Sequence, residues 1–457
     1  MSDKELITAL QKQVADLLQR VSLLEARNAD LALKNAELTE ELVYYKAGRN
    51  SRNSHLPPGS DLYKQVSLKH KKKKSSRNVG GQHGHKASRL EKVDVPDVVV
   101  VHEVTSCFHC REDIRLLEGE VIRTAQVFDI PRIELRVTEH YKTRKCCPKC
   151  GRHTSSELPG TLDYIDAQYG DNLKNLVAYL SSRQYCAVNR IAECLHILTG
   201  ANISTGFVWN TLQATAKHLQ PTHDRIREKI LQRAVVGSDE TGCRMGGQKG
   251  WMWVWCNEKY AYLKASDNRG YATMLDVLGE GKQTFVMVSD CYPAQLKIKT
   301  ADKQICIAHL LRECEGLYEK YNSKWALALK SKLEQIIQLT KEKVITQKTI
   351  QRIEGELLTI LKRVRGRTHQ KVEVFRNRLY KLISCITTCL RHRLVPPTNN
   401  MSERALRSTK VKMRVSSLFR TFHGAQDYAI LRSIIDTAIL QGKHPFDALV
   451  RPEIVVN

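Results

Sequence analysis

The sequence predicts a multidomain α+β chain: a mixed α/β domain interrupted by an all-α insertion and preceded by a coiled coil and two smaller domains. Three observations carry that prediction. A heptad repeat fills the first residues, and two C-x2-C knuckles follow it. Further on, two apolar strand-like runs, 234–238 and 284–289, are each followed at once by an aspartate, Asp239 and Asp290. Short apolar runs ended by an acid and a turn signal are what buried strands look like when they deliver carboxylates to a sheet edge.

Length and charge narrow the class. A chain of 457 residues exceeds one ordinary core. With 73 Lys and Arg against 48 acids, its net charge of +25 calls for a polyanionic partner, nucleic acid ahead of an anionic membrane surface. No apolar signal core opens the sequence, and no run approaches the roughly 18 apolar residues of a membrane span, so a cytosolic protein with no membrane partner is expected. Its 14 cysteines then read as metal ligands and reduced core thiols rather than disulfides.

Residues 1–47 form the coiled coil. Heptad a positions are Ile7, Val14, Val21, Asn28, Asn35 and Leu42; d positions are Leu10, Leu17, Leu24, Leu31, Leu38 and Tyr45. Leucine at d with β-branched residues and then Asn at a favours a parallel two-stranded coil, hence a homodimer or higher homo-oligomer. Residues 48–95 form a basic, flexible linker. From Lys46 to Lys92 there are 13 cations and two acids, a local balance of +11, and Lys71, Lys72, Lys73 and Lys74 are consecutive, candidate phosphate contacts. Residues 96–160 hold Cys107, Cys110, Cys147 and Cys150, four thiolates spaced for one structural Zn²⁺, with Cys146 the alternative to Cys147. Alternation of Val127, Ile133, Leu135 and Val137 predicts a small zinc-binding β domain. Residues 161–231 turn helical: Leu173, Leu176, Val177 and Leu180, then Ile191, Leu195 and Leu198, then a helix capped by Ser204 carrying Val208, Leu212 and Ala216. This is a candidate helix-turn-helix DNA-binding domain, with three merely packed helices as the alternative.

Residues 232–309 read as strand, strand (Trp251, Trp253, Trp255), strand (260–263), helix (270–278), strand (284–288) and a short fifth strand at Ile305 and Ile307. That succession is the layout of a ribonuclease-H-like fold. Residues 310–395 are long basic helices, an insertion; 396–440 resume the core with a helix bearing Glu403, and 441–457 are a C-terminal tail. Cys385 and Cys389, on one helix, are expected in the core.

Asp239, Asp290 and Glu403 make sense only together. Two unit charges 4 Å apart repel by about 4 kcal/mol at an effective dielectric of 20. Bound divalent metal relieves this, and hard oxygen donors suit Mg²⁺ or Mn²⁺, two ions per site roughly 4 Å apart acting on a phosphodiester. After Glu403, Arg407 and Lys410 fall on the same helical face, and Arg404, Lys412 and Arg414 add cations for DNA phosphate. The plain alternative is an i,i+4 salt bridge. His309 is open to three readings: half of a metal site with Cys306 and either Cys291 or Cys314, a structural histidine, or a neighbour of the acids.

The chain resembles transposases of the insertion-sequence-66 family, of the DDE class. Residues 51–61 (SRNSHLPPGSD) resemble the family's PPSSD stretch, with Gly59 where Ser is common, and 80–85 (GGQHGH) its GGQ-x-GH motif. The paired knuckles resemble its zinc domain. Residues 238–242 (SDETG) followed by 250–253 (GWMW) match its first catalytic block, 288–292 (VSDCY) its second, and 306–312 (CIAHLLR) its C-x-x-H-x-x-R block. Residues 399–404 (NNMSER) match the N-N-x-x-E-R block of the third acid. The resemblance implies that Asp239, Asp290 and Glu403 are the DDE triad, with Glu240 a neighbour. The implied activity is metal-dependent cleavage and strand transfer of double-stranded DNA at element ends and target. Element-encoded helper proteins and a cytoplasmic, nucleoid-associated place in a bacterium go with it. Two other readings use the same scaffold: a catalytically retired DNA-binding regulator, and a structure-specific nuclease.

Overall fold

The computed structural model describes residues 14–32, 34–35, 90–160, 162, 165–342, 344–362, 369–416 and 418–457. The expected linker motifs, including Lys71 to Lys74, lie outside the described residues. Helix α1 (residues 14–32) leaves its heptad residues Val14, Leu17, Val21, Leu24 and Leu31 exposed, an apolar seam on a single chain.

The knuckle region is built from turns. A lone bridge joins Ser106 to Asp113, and β1 (Arg144–Cys146) pairs antiparallel with β2 (His153–Ser155). The strand expected over 127–137 does not form. Val127 and Val137 are 93% and 88% exposed, and alternation without a partner edge leaves the backbone nothing to pair with.

Three helices follow: α2 (Asp171–Ser182), α3 (Val188–Thr199) and α4 (Thr205–Leu231). Ser204 caps α4 by accepting from Phe207 N, as its sequence position suggests. The face of α4 bearing Val208, Leu212, Ala216, Leu219 and Ile226 is buried, and His223 Nε2 lies 3.0 Å from Leu263 O of the sheet, so α4 is part of the sheet's own packing.

The sheet has five strands in the order β5-β4-β3-β6-β7. β3 (Val235–Met245), β4 (Gln248–Cys256) and β5 (Ala261–Ser266) form an antiparallel meander. The two-residue turn between the first two uses Gly246 and Gly247 at φ 57° and 80°, which a twisted hairpin requires and only glycine adopts freely. After α5 (Tyr271–Leu278) come β6 (Val286–Ser289), the short α6 (Pro293–Lys297) and β7 (Asp302–Ile305), with β6 and β7 parallel to β3. The fifth strand stops at Ile305; Cys306 is the N-cap of α7 (Ile307–Tyr321), which places Ile307 in a helix and not in the strand expected for it.

From α7 onward the insertion comprises α8 (Lys324–Leu339), α9 (Gln347–Lys362), α10 (Gln370–Lys381), α11 (Ile383–Ile386) and α12 (Thr388–Arg391). Its Leu310, Leu333, Ile353 and Leu379 share one core with Val286, Val288 and Ile305 of the sheet. Cys389 belongs to that core and Cys385 packs against it, as expected. The chain then returns as α13 (Asn400–Ser416), α14 (Phe422–Leu440) and α15 (Pro445–Val450). Leu406 of α13 and Tyr428 of α14 cover Met252, Val254 and Leu263 on one face of the meander. The free edge of β5 is closed by α14: Thr437, Ser433 and Gln426 side chains accept from Ala261, Leu263 and Ala265 N–H groups at 3.1, 2.8 and 3.2 Å. Such covering keeps an edge strand from pairing with another chain.

Candidate active site

Asp239 and Asp290 meet because β3 and β6 are parallel and in register. The pairing Gly237↔Val288, carried on by two residues, sets Asp239 opposite Asp290, and Ser289↔Ile305, carried on by one, sets Asp290 opposite Cys306. Neighbouring strands lie about 4.8 Å apart, so three potential ligands line the carboxyl ends of adjacent strands. Burial first, then the charges of Asp290 and Glu240, push the Asp239 carboxyl up to about 8 from its model-compound 3.8.

Glu403 arrives from the other end of the insertion, positioned by Asn399. This buried side chain donates from Nδ2 to Ser238 O at 2.8 Å and accepts from Ser402 Oγ at 2.7 Å, while its backbone N–H reaches Cys306 Sγ at 3.1 Å. Its carbonyl accepts from Glu403 N at 3.2 Å, the first bond of α13. The helix can come this close because Gly237 lacks a side chain: a Cβ there would stand 2.5 Å from Ser402 Oγ and 2.9 Å from Asn399 Oδ1. Asn399 and Gly237 sit beside acids in the sequence, yet periodicity assigns neither a role. Only the packing of α13 on β3 reveals it.

His309, on the first turn of α7, joins the two outer acids. Its Nδ1 is 2.8 Å from Asp290 Oδ1 and its Nε2 3.6 Å from Glu403 Oε1; Arg312 Nη2 lies 3.7 Å from Glu403 Oε2. Burial opposes charge on the imidazole, but hydrogen bonds to Asp290 and Cys306 outweigh it and raise His309 to about 10. Of the three readings the sequence leaves open for His309, its place beside the acids is the one observed. Cys314 is buried in the core of the insertion and Cys291 packs against that core. Asp290, Cys306 and His309 present ligand atoms within 4.8 Å of one another, a cluster the sequence pointed to only through Cys306 and His309. The donor set fits a divalent cation. Crowded carboxylate oxygens, one of them held protonated near neutral pH for want of positive charge, are the hard ligands Mg²⁺ takes.

Glu240 points elsewhere. Its Oε1 accepts from Arg269 Nε and Nη2 at 2.9 and 2.7 Å, and its Oε2 from Gln295 Nε2 at 2.9 Å. Along α13, Arg404, Arg407, Lys410 and Arg414 are exposed. Lys412 is not. Its Nζ is buried against Ser181 O and Cys186 O, both at 3.1 Å, where burial lowers the ammonium to about 8, so it ties α13 to the end of α2 instead of facing phosphate. The helical period puts Lys412 within two residues of exposed cations but cannot say that α2 packs there.

The thiol knuckles are two copies of one turn. Arg111 and Gly151 N–H groups donate to Cys107 and Cys147 carbonyls at 2.9 and 2.8 Å, and both residues are left-handed, at φ 61° and 70°. Backbone N–H groups of Cys110 and His109 lower the Cys107 thiol, and those of Cys150 and Lys149 the Cys147 thiol. This is thiolate-stabilising geometry, which zinc ligation needs. Cys147 occupies the place equivalent to Cys107, whereas Cys146 is a strand residue whose thiol reaches Gly151 O at 3.4 Å.

With this geometry in place, the comparisons with known proteins can be read against it. A family model described as Transposase IS66 family matches residues 166–427, a span that includes Asp239, Asp290 and Glu403. A second, Family of unknown function (DUF6444), matches residues 4–91. No curated protein matches the chain.

Proposed function

We propose, from the premise that the chain belongs to the IS66 transposase family, that it cuts the ends of a mobile DNA element and joins them to target DNA, with Asp239, Asp290 and Glu403 as its catalytic acids. The observation that carries this reading is the convergence just described: two aspartates in register on parallel strands, and a glutamate brought to their shared histidine by the Asn399 clamp. The sheet order β5-β4-β3-β6-β7, a three-stranded antiparallel meander continued by two parallel strands, supports a ribonuclease-H-like core.

Asp239, Asp290 and Glu403 would hold Mg²⁺ or Mn²⁺, which when bound supplies activation of the attacking oxygen and stabilisation of the leaving one. The chain's own residues do the positioning. Asn399 fixes where Glu403 stands against β3, and His309 keeps Asp290 and Glu403 within reach of one another. Exposed Arg404, Arg407, Lys410 and Arg414 carry the positive charge a DNA backbone requires. The exposed seam of α1 fits pairing of two chains, as bringing two DNA ends together needs, and each knuckle offers two thiolates toward a structural Zn²⁺. Among the described residues no helix is long and apolar enough to cross a membrane.

Asp290→Asn keeps the shape of the site and removes a hard anionic ligand. Cleavage of element-end DNA in Mg²⁺ is expected to fall below detection while DNA binding in a gel-shift assay survives. A variant that still cuts and joins at the wild-type rate would sink the assignment.

A further inference from the structure

Beside the acids stands a ladder of rings and cations that the cleavage chemistry does not use. The Asn268–Gly270 turn presents Arg269: Asn268 O accepts from Trp253 Nε1 at 3.2 Å and Thr273 Oγ1 at 2.9 Å. Arg269 gives Nε and Nη2 to Glu240, leaving Nη1, and its guanidinium lies 4.7 Å from the Trp251 ring centre and 4.1 Å from that of Tyr292. Lys249 Nζ is 5.1 Å from the same Trp251 ring. Trp251 pairs with Gly242, three residues beyond Asp239, and a Cβ on Gly242 would meet its ring at 3.4 Å; Tyr292 is two residues beyond Asp290. Next to Trp251 opens a cavity of ≈ 480 Å³ lined by Gly242, Cys243, Arg244, Lys249, Met413 and Leu418.

A purely structural role accounts for Arg269, which is tied down by Glu240. It leaves Arg244 and Lys249 without a purpose, since both are exposed at the cavity and neither has an ion-pair partner among the described residues. Interleaved rings and cations beside an apolar wall suit a ligand that is both a π-face and an anion. We propose that this cavity and ladder take up an unpaired nucleotide of the DNA strand held at the acids, its base against Trp251 and the Met413–Leu418 wall, its phosphate at Arg244 and Lys249. Three residues along an antiparallel strand span about 10 Å, and a stacked DNA strand rises 3.4 Å per base. The captured nucleotide therefore lies within about three positions of the bond that is cut. The inference rests on the transposase reading of the same site.

The test uses the full chain and two probes of arbitrary sequence, a short blunt duplex and the same duplex with a single-stranded tail. Wild-type protein is expected to bind the tailed probe about tenfold more tightly, ~1.4 kcal/mol, in the range of one base stacked on an aromatic side chain. Trp251→Ala should erase that preference and Trp251→Phe retain it. Met413→Glu, on the opposite wall, should erase it too, and covers the case in which Trp251→Ala does not fold. Equal affinity of wild-type protein for both probes, or a preference that outlasts Trp251→Ala and Met413→Glu, overturns the inference. If Asp290-dependent cleavage persists in that outcome, the transposase reading stands and only the nucleotide site falls; absence of binding to either probe removes both.

Discussion

The carboxylates at the ends of β3 and β6 owe their positions to residues distant in sequence, whereas the thiols of each knuckle are set by the half-dozen residues around them. Asp239 stands opposite Asp290 through strand register, and Glu403 joins them through Asn399, more than a hundred residues from Asp290. Cys107 and Cys147 are each oriented by their own Cys-x-x-Cys turn and lie outside any core. Donors held by tertiary packing can be buried and crowded, and Asp239 carries the consequence as a strongly raised pKa. Donors held by local turns stay solvated, and nearby N–H groups lower their pKa instead. A crowded, desolvated acid set stores repulsion that a cation relieves, and a local thiolate turn waits for its metal without strain.

The largest effect that would break the contrast lies in the knuckles. Structural Zn²⁺ sites contribute about 10 kcal/mol or more of apparent binding energy at pH 7. Cys147→Ser should abolish tight zinc binding, read as zinc per chain after dialysis, while the melting of the α/β core stays unchanged because the knuckle residues lie outside it. Wild-type protein without zinc, or a core that melts with the knuckle, would show that the two regions are not independent.

The second effect is smaller and lies at the acids. Asp239 has a folded pKa of about 8 against 3.8 for the model compound. Between those values the unfolded chain has released a proton that the folded chain retains, so the unfolded state binds fewer protons and stability falls as pH rises from about 4 to about 8. The upper bound is about 5 kcal/mol. Without divalent ions, the thermal midpoint of the wild type should fall across that window, and Asp239→Asn should flatten the curve. Mg²⁺ should restore the wild type near neutral pH and leave the variant unmoved. Parallel curves for the two proteins would mean that Asp239 is not the stressed member of the cluster.

Much of this site is legible in the sequence, for a physical reason. A buried strand ending in an acid has a two-residue period and an abrupt polarity change, so Asp239 and Asp290 stand out before any fold is known. Asn399 and Gly237 do not, because their roles exist only where α13 crosses β3, and no local pattern encodes that crossing. Lys412 shows the same limit in reverse, a cation whose burial depends on α2 lying beside it. The strand expected near Val127 fails for a related cause: alternation reports which face would be apolar and nothing about whether a partner strand exists.

The sharpest version of the contrast compares two glycines. Gly151 sits at φ 70° with open space where a Cβ would go, and Arg111 holds the equivalent place in the other knuckle at φ 61°, so the turn already accepts a side chain. Gly151→Ala should cost about 1 kcal/mol locally and leave zinc content intact. Gly237 is the opposite case. The new Cβ would stand 2.5 Å from Ser402 Oγ and 2.9 Å from Asn399 Oδ1. Both side chains are buried and bonded to each other, so neither can turn away and α13 itself must move. A shift of about 1 Å at Glu403 is enough to cost ~10²-fold in rate, with about 1–3 kcal/mol of overpacking strain. Gly237→Ala should therefore lose cleavage roughly a hundredfold while its melting point drops by only several degrees. Activity within twofold of wild type would mean that the acids do not depend on the seating of α13, and the distinction between packed and local donors would lose its basis.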